Sequence, residues 1–285
     1  MVYPRVMIGT DQTNAVLNAE PLIRLAVFAA VLALLVALEL VAPRRRLTVK
    51  RGQRWPGNVG AVVIGSVLVR LLFPTAAVGL ALVAEAKGWG LLNLVAVPDW
   101  LAVVSAIVLL DLIIYGQHVL FHANPLLWRL HRMHHADLDI DVTTGIRFHP
   151  LEFLLSMVIK LGAVIVLGAP ALAVMIFEIL LNATAMFSHS NVRLPARFDH
   201  MLRRVLVTPD MHRVHHSILT RETNSNFGFN LPWWDYLFGT YRAQPAAGHE
   251  GMTIGLPAFR DASELRLDRM LVQPLRDDRT EGRKR

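Results

Sequence analysis

The chain contains no cysteine, which excludes disulfides, thiolate metal ligands and cysteine nucleophiles together. Charge is also scarce. Of 285 residues 18% are charged and 54% hydrophobic, and the mean hydropathy is +0.42, too apolar for an ordinary soluble domain and typical of the membrane class. There is no flavin or nicotinamide fingerprint, no HExxH motif, no low-complexity segment and no repeat beyond one histidine spacing. The formal charge of +7 is read by position: Arg44, Arg45, Arg46, Lys50, Arg51 and Arg54 follow the first apolar run, and Arg129 and Arg132 follow the third. That is the bias of cytoplasmic loops, so the basic excess requires no nucleic-acid partner. The polar stretch before Pro21 argues against a cleaved signal peptide, because the apolar run starts late and no convincing cleavage site follows it.

Long apolar runs are what the sequence has instead. Residues 22–42 are apolar except for Arg24 and Glu39, the length of one crossing of a ~30 Å hydrocarbon layer. The run stops at Pro43 before three arginines, which places its far end, and the N-terminus, outside. Residues 58–86 predict a second span, kinked at Phe73-Pro74, with Arg70 snorkelling or facing protein. Residues 99–121 predict a third. Residues 153–187 are too long for one crossing and suit two, turning at Gly168-Ala169-Pro170; Lys160 and Glu178 sit one in each arm.

Within residues 115–135 stand five of the twelve histidines, as His118-x3-His122 and His131-x2-His134-His135; His212-x2-His215-His216 repeats the second spacing. Residues three and four apart share a helical face, so each cluster is expected to aim two or three imidazoles at one point. Imidazole ligates iron, zinc and copper. An even number of crossings between the clusters returns the chain to one face, where all of them can meet. Asp111, seven residues before His118 and inside a span, is read either as a hydrogen-bond partner of a neighbouring helix or as an acceptor for an imidazole N–H. His149, before Pro150, is a structural or outer partner. His200 and His249 belong to no spaced group and are read as structural or exposed. Thr208-Pro209-Asp210 marks a helix start. Residues 226–241, aromatic and glycine-containing, read as a folded cap over the site, and the tail from Arg260 as a solvated or surface-lying helix.

These residues carry a resemblance. The region from about 111 to 241 resembles the fatty acid hydroxylase and sterol desaturase superfamily of integral-membrane di-iron oxygenases, through His118-x3-His122, Trp128-Arg129-x-His131-x2-His134-His135, Arg147-x-His149-Pro150-x-Glu152, His189-Ser190-Asn191, His212-x2-His215-His216 and Trp234-Asp235-x2-Phe238-Gly239-Thr240. The resemblance implies two iron ions held by His118, His122, His131, His134, His135, His212, His215 and His216, with His189 as a further ligand. Some lipid hydroxylases have another histidine four residues before that one; here Ala185 stands there, so a nine-histidine set, or a water in the tenth position, is expected. Asp137, Asp139, Asp141, Glu152, Asn191 and Asp210 join Asp111 and His149 as candidate outer partners. The activity implied is hydroxylation or desaturation of an aliphatic C–H position in a lipid entering from the bilayer, with dioxygen and with electrons from a separate ferredoxin- or cytochrome-type donor. No fused cytochrome domain is expected, from the shortness of the termini.

The expected fold is all-α, an integral membrane bundle of about four to five transmembrane helices with a cytoplasmic helical metal-binding cap. Residues 1–98 form a membrane region with two spans, residues 99–245 the catalytic domain with its hairpin at 153–187, and residues 246–285 a cytoplasmic tail. The expected location is an inner or plasma membrane, with the metal site on the cytoplasmic side. A histidine-rich zinc transporter is the alternative of a different class, disfavoured because transport sites lie near mid-membrane and these clusters fall at span ends. A zinc hydrolase would need only three protein ligands, and a haem carrier axial histidines on facing spans rather than adjacent pairs.

Overall fold

Turn chemistry sets the helix boundaries. The computed structural model describes residues 15–277; the expectations for the extreme N-terminus and the last residues of the tail lie outside them. Helix α1 (Glu20–Val41) starts with Pro21 in its first turn and stops before Pro43. Helix α2 (Arg51–Leu72) ends at Phe73, which the following Pro74 drives out of helical conformation. Helix α3 (Ala76–Lys87) resumes after the break and closes on left-handed Gly88. Helix α4 (Asp99–Ala123) meets α5 (Pro125–His135) at a one-residue corner, Asn124. Its side chain accepts from Leu126 N and Leu127 N while Pro125 opens the new helix. The hairpin pairs α6 (Pro150–Leu167) with α7 (Ala171–His189), turning at Gly168, whose φ of +63° suits glycine. Helix α8 (Ala196–Leu202) and α9 (Pro209–His215) follow, the latter capped by Thr208 with Pro209 first, as the sequence predicts.

Among the described residues, five segments are long and apolar enough to cross a membrane: Glu20–Val41, Arg51–Leu94, Asp99–Ala123, Pro150–Leu167 and Ala171–His189. The second is the kinked span, α2 plus α3, and Arg70 is exposed on its outer surface. The bundle packs around α7. Its Ala173, Val174 and Phe177 are buried against Ala77 and Ala81 of α3, Ala106 and Leu110 of α4, and Val164 of α6. Alanines at these contacts let the helices approach closely, the packing mode available where lipid removes the hydrophobic drive. The ionisable residues in the hairpin are paired: Lys160 Nζ lies 2.6 Å and Arg24 NH1 2.8 Å from the two oxygens of Glu178, so a charge that is costly at that depth is compensated.

At one end of the bundle a polar cluster holds the connection between α5 and α6. Arg54, fully buried, binds Asp137 through Nε (2.7 Å) and Asp141 through NH1 (2.6 Å). Asn58 Oδ1 receives Arg147 NH1 at 2.7 Å, and Arg147 Nε donates to Met133 O. Burial alone would raise the Asp137 carboxyl, but the Arg54 guanidinium outweighs it and holds the group well below the usual carboxylate range. A single turn, Val142–Ile146, then presses on α7 so tightly that a Cβ on Gly145 would lie 2.5 Å from Ala185 O. The tail departs from expectation. Helix α11 (Leu267–Val272) is short and docked: Met270 is buried with Met133 and Ala61, and Arg129 Nε and Arg132 NH2 donate to Pro274 O and Gln273 O. Its apolar residues have α2 and α5 to pack on, which periodicity alone does not reveal.

Candidate metal centre

All nine histidines singled out by spacing and resemblance meet at the end of the bundle that carries the polar cluster. They sort into two groups, His118, His122, His131, His135 and His215 in one, and His134, His189, His212 and His216 in the other; within each, one nitrogen per ring lies within 4.8 Å of every other. The groups share a wall, where the rings of His135 and His216 stack with centroids 4.7 Å apart. Each HxxHH box aims two imidazoles at one point, as expected, and turns its remaining histidine to the other group. His131 and His135 face the first group and His134 the second; His212 and His216 face the second and His215 the first. Helix geometry explains the split, since i and i+4 nearly eclipse whereas neighbouring residues diverge by about 100°.

The ring nitrogens are oriented from outside. His118 Nδ1 donates to Phe227 O (2.7 Å), His215 Nδ1 to Ser225 O (2.7 Å), His122 Nδ1 to Asn224 Oδ1 (3.2 Å) and His131 Nδ1 to Glu152 Oε1 (2.7 Å). In the second group His134 Nδ1 donates to Arg147 O (3.1 Å) and His189 Nδ1 to Ala185 O (2.6 Å). These acceptors assign the proton to Nδ1 in six rings and turn the Nε2 lone pair inward.

Inside, the lone pairs have little to bind. The Nε2 atoms of His118, His122, His215 and His216 are buried without a hydrogen-bond partner. His134 Nε2 and His189 Nε2 face each other at 3.1 Å, two acceptors in contact once their protons are committed outward. Burial, and then the neighbouring imidazoles, push His134, His135, His212, His215 and His216 well below the ordinary imidazole value, so these rings are neutral, the ligating form. Neutral donors, converging lone pairs and outward N–H groups make both groups fit to hold metal cations.

The proposed outer partners fare unevenly. Glu152 does hold an imidazole. Asp111 does not: its carboxylate accepts from Asn230 N, Asn230 Nδ2, Leu231 N and Trp234 Nε1, fastening residues 226–241 to α4. Asp137 and Asp141 are occupied by Arg54, and Asp139 by Thr48. His149 caps α6 and meets Leu271 O; Asn191 pairs with the backbone of Arg45; Asp210 binds Arg44 and Arg213. His249 is buried 3.5 Å from Asp210, while His200 is exposed. What the sequence missed is mostly main chain: the carbonyls of Arg147, Ala185, Ser225 and Phe227 carry no residue signature. Of the aromatic segment Phe227 accepts from His118, and Asn224 and Ser225 just before it accept from His122 and His215 of the same group. His122, half-buried, is where the site opens, into a cavity of about 420 Å³ lined also by Trp128, Asn224 and Phe259.

Residues 103–240 match the family model described as fatty acid hydroxylase. Among curated proteins, the chain is 32% identical over 148 residues to the ornithine lipid hydroxylase OlsE of Rhizobium tropici, covering 52% of this chain and 44% of the relative. It is 26% identical over 158 residues to the alkylglycerol monooxygenase of Homo sapiens (54% and 34%) and 27% identical over 146 residues to that of Xenopus tropicalis (51% and 31%). The matched region therefore spans less than half the length of these relatives. No solved structure matches the chain.

Proposed function

Because residues 103–240 make this chain a member of the fatty acid hydroxylase superfamily, we propose that it is a membrane-bound di-iron hydroxylase acting on an aliphatic C–H position of a lipid, with dioxygen and electrons from a separate ferredoxin- or cytochrome-type donor. The observation that carries this reading is the pair of histidine groups with their N–H bonds turned outward. His118, His122, His131, His135 and His215 would hold one ion, and His134, His189, His212 and His216 the other. Bound iron supplies the redox chemistry with dioxygen that an inert C–H bond demands and that no side chain provides. Both kinds of relative are hydroxylases or monooxygenases by name, which favours hydroxylation over desaturation.

The chain's own part is to hold and insulate. Six outward acceptors fix ring tautomer and direction, and Glu152 adds a negative charge beside His131. Burial keeps His134, His135, His212, His215 and His216 neutral and excludes water, which strengthens each electrostatic contact inside. The spans that deliver His118 and His189 also face lipid, so a substrate's apolar chain can approach without leaving the bilayer. The arginines at positions 44–46 and 51 flank this end of the bundle, which by the positive-inside rule supports a site on the cytoplasmic face of an inner or plasma membrane.

The test is lipid profiling of cells with the protein, without it, and with His134→Ala, beside iron analysis of the purified protein. Two irons per chain and a hydroxylated lipid lost in the variant are expected. One metal per chain, or a lipid profile indifferent to the protein, would refute the assignment.

A further inference from the structure

Residues 226–241 are largely irregular, with α10 (Trp233–Leu237) a single short helix among them, yet their partners lie well inside the spans. Asp111, seven residues inward from His118 on α4, accepts from Asn230 N, Leu231 N and Trp234 Nε1 at 2.8–3.3 Å. Tyr115 of α4 bonds Thr240 Oγ1 at 2.9 Å and stacks on Phe238 with ring centroids 5.5 Å apart. Thr184, five residues inward from His189 on α7, meets Asn230 Oδ1. At about 1.5 Å per residue, these anchors sit roughly 5–10 Å below the histidines along two different spans, Asp111 the deepest. Helix α7 has 19 residues, about 28 Å, and so is barely as long as a ~30 Å hydrocarbon layer. Thr184 has almost no room to stand outside it.

Irregular backbone at such depth is tolerated only when its polar groups are satisfied by protein, and this segment meets that demand with two buried carboxylates. Asp111 takes the amides of Asn230 and Leu231; Asp235 takes those of Phe227 (2.8 Å) and Gly228 (2.9 Å) and the Thr240 hydroxyl. The opposite side is apolar and open. Trp233, Tyr236, Leu237 and Phe238 are exposed, Leu237 to 69%. Phe198, Met201 and Val205 extend the patch, joined to it by Trp233 Nε1 to Arg204 O and Tyr236 OH to Arg203 O. A contiguous apolar surface of this kind is not left to water. Exposed Arg197 and Arg204 beside it, with its tryptophan and tyrosine, are the anchors that suit an acyl and headgroup boundary.

We propose that residues 196–205 and 226–241 form a further membrane contact beyond the five spans, an aromatic wedge immersed in the leaflet on the histidine side, with bilayer lipid as its partner. The wedge is independent of whatever chemistry the histidines perform.

Because the chain has no cysteine, a single introduced cysteine is the only labelling site. Leu237→Cys and Phe198→Cys, each carrying a nitroxide, are reconstituted in phosphatidylcholine and phosphatidylglycerol vesicles and probed by power saturation with oxygen, which partitions into lipid, and with an aqueous nickel chelate. Leu25→Cys on α1 is the lipid reference and Asp268→Cys on α11 the water reference, both positions being exposed. Oxygen-to-nickel accessibility ratios for positions 237 and 198 closer to position 25 are expected. Ratios closer to position 268 at both would overturn the proposal, and a lipid-like ratio at 237 alone would confine the wedge to residues 226–241 and overturn it for residues 196–205.

Discussion

Replacing Glu152 by Ala removes the carboxylate that holds the His131 Nδ1–H at 2.7 Å, in a pair whose side chains are no more than 5% exposed. A hydrogen bond to a charged group contributes about 1.5–3 kcal/mol, and loss of an imidazole's outer acceptor typically weakens metal binding ~10–100-fold, equivalent to about 1.4–2.7 kcal/mol. The two ranges agree, so a 10–100-fold loss is expected, confined to the group that contains His131. Glu152 also lies in the first turn of α6, where a negative charge favours the helix by about 0.3–1 kcal/mol. Glu152→Gln separates the effects: it forfeits the charge but retains an acceptor, and its amide can occupy the place of the unpartnered Oε2. The assay is iron retained per chain, in detergent, after equilibration with graded chelator. Wild type should release two irons over one range, Glu152→Ala should give up one much earlier, and Glu152→Gln should fall between. Two irons retained with unchanged affinity in Glu152→Ala would show that the His131 contact does not support a metal ligand.

Further expectations concern the scaffold. Arg54→Met strands Asp137 and Asp141 in a buried site and should destabilise the protein by about 3–5 kcal/mol, read as a drop in the thermal midpoint of detergent-solubilised protein; Arg54→Lys should recover only part of it, because Lys cannot form the fork. Gly145→Ala forces a Cβ against Ala185 O, the acceptor of His189, and should reduce metal retention selectively in the group of His134, His189, His212 and His216. His249 is pushed down to about 4, chiefly by burial, against an ordinary 6.5, although Asp210 opposes the shift. Its neutral folded form therefore contributes stability that is complete above pH 6.5 and lost as pH falls towards 4. His249→Gln should flatten that part of a stability profile measured by chelator-treated thermal melts, and an unchanged slope would count against it. Met270→Ala, at a fully buried position against Met133, should cost about 2–5 kcal/mol.

The spans were legible because length and composition are enough to define them: α1, α4 and the hairpin arms fall where the apolar runs fall, and Pro74 marks the break between α2 and α3. The histidines were legible because their spacing is unusual and because crossings must pair for the chain to return. The partition of each HxxHH box was not, since it depends on how α5 and α9 are rotated towards each other, and periodicity fixes only a face. Asp111 illustrates a different limit. Its spacing from His118 is correct for an imidazole partner, but the loop amides of Asn230 and Leu231, distant in sequence, claim it. Backbone acceptors such as Ala185 O and Phe227 O are unreadable in principle, because every residue has a carbonyl.

The division of each HxxHH box between the two groups also gives the centre a history. When synthesis has reached residue 135, the chain carries four of the five imidazoles of the first group, His118, His122, His131 and His135, but only His134 of the second. The three that complete the second arrive with the return of the hairpin and with α9. An ion meeting the nascent chain thus finds one pocket almost whole and the other barely begun. Were metal to load during synthesis, a shortage of it would leave the late pocket, rather than the early one, unfilled.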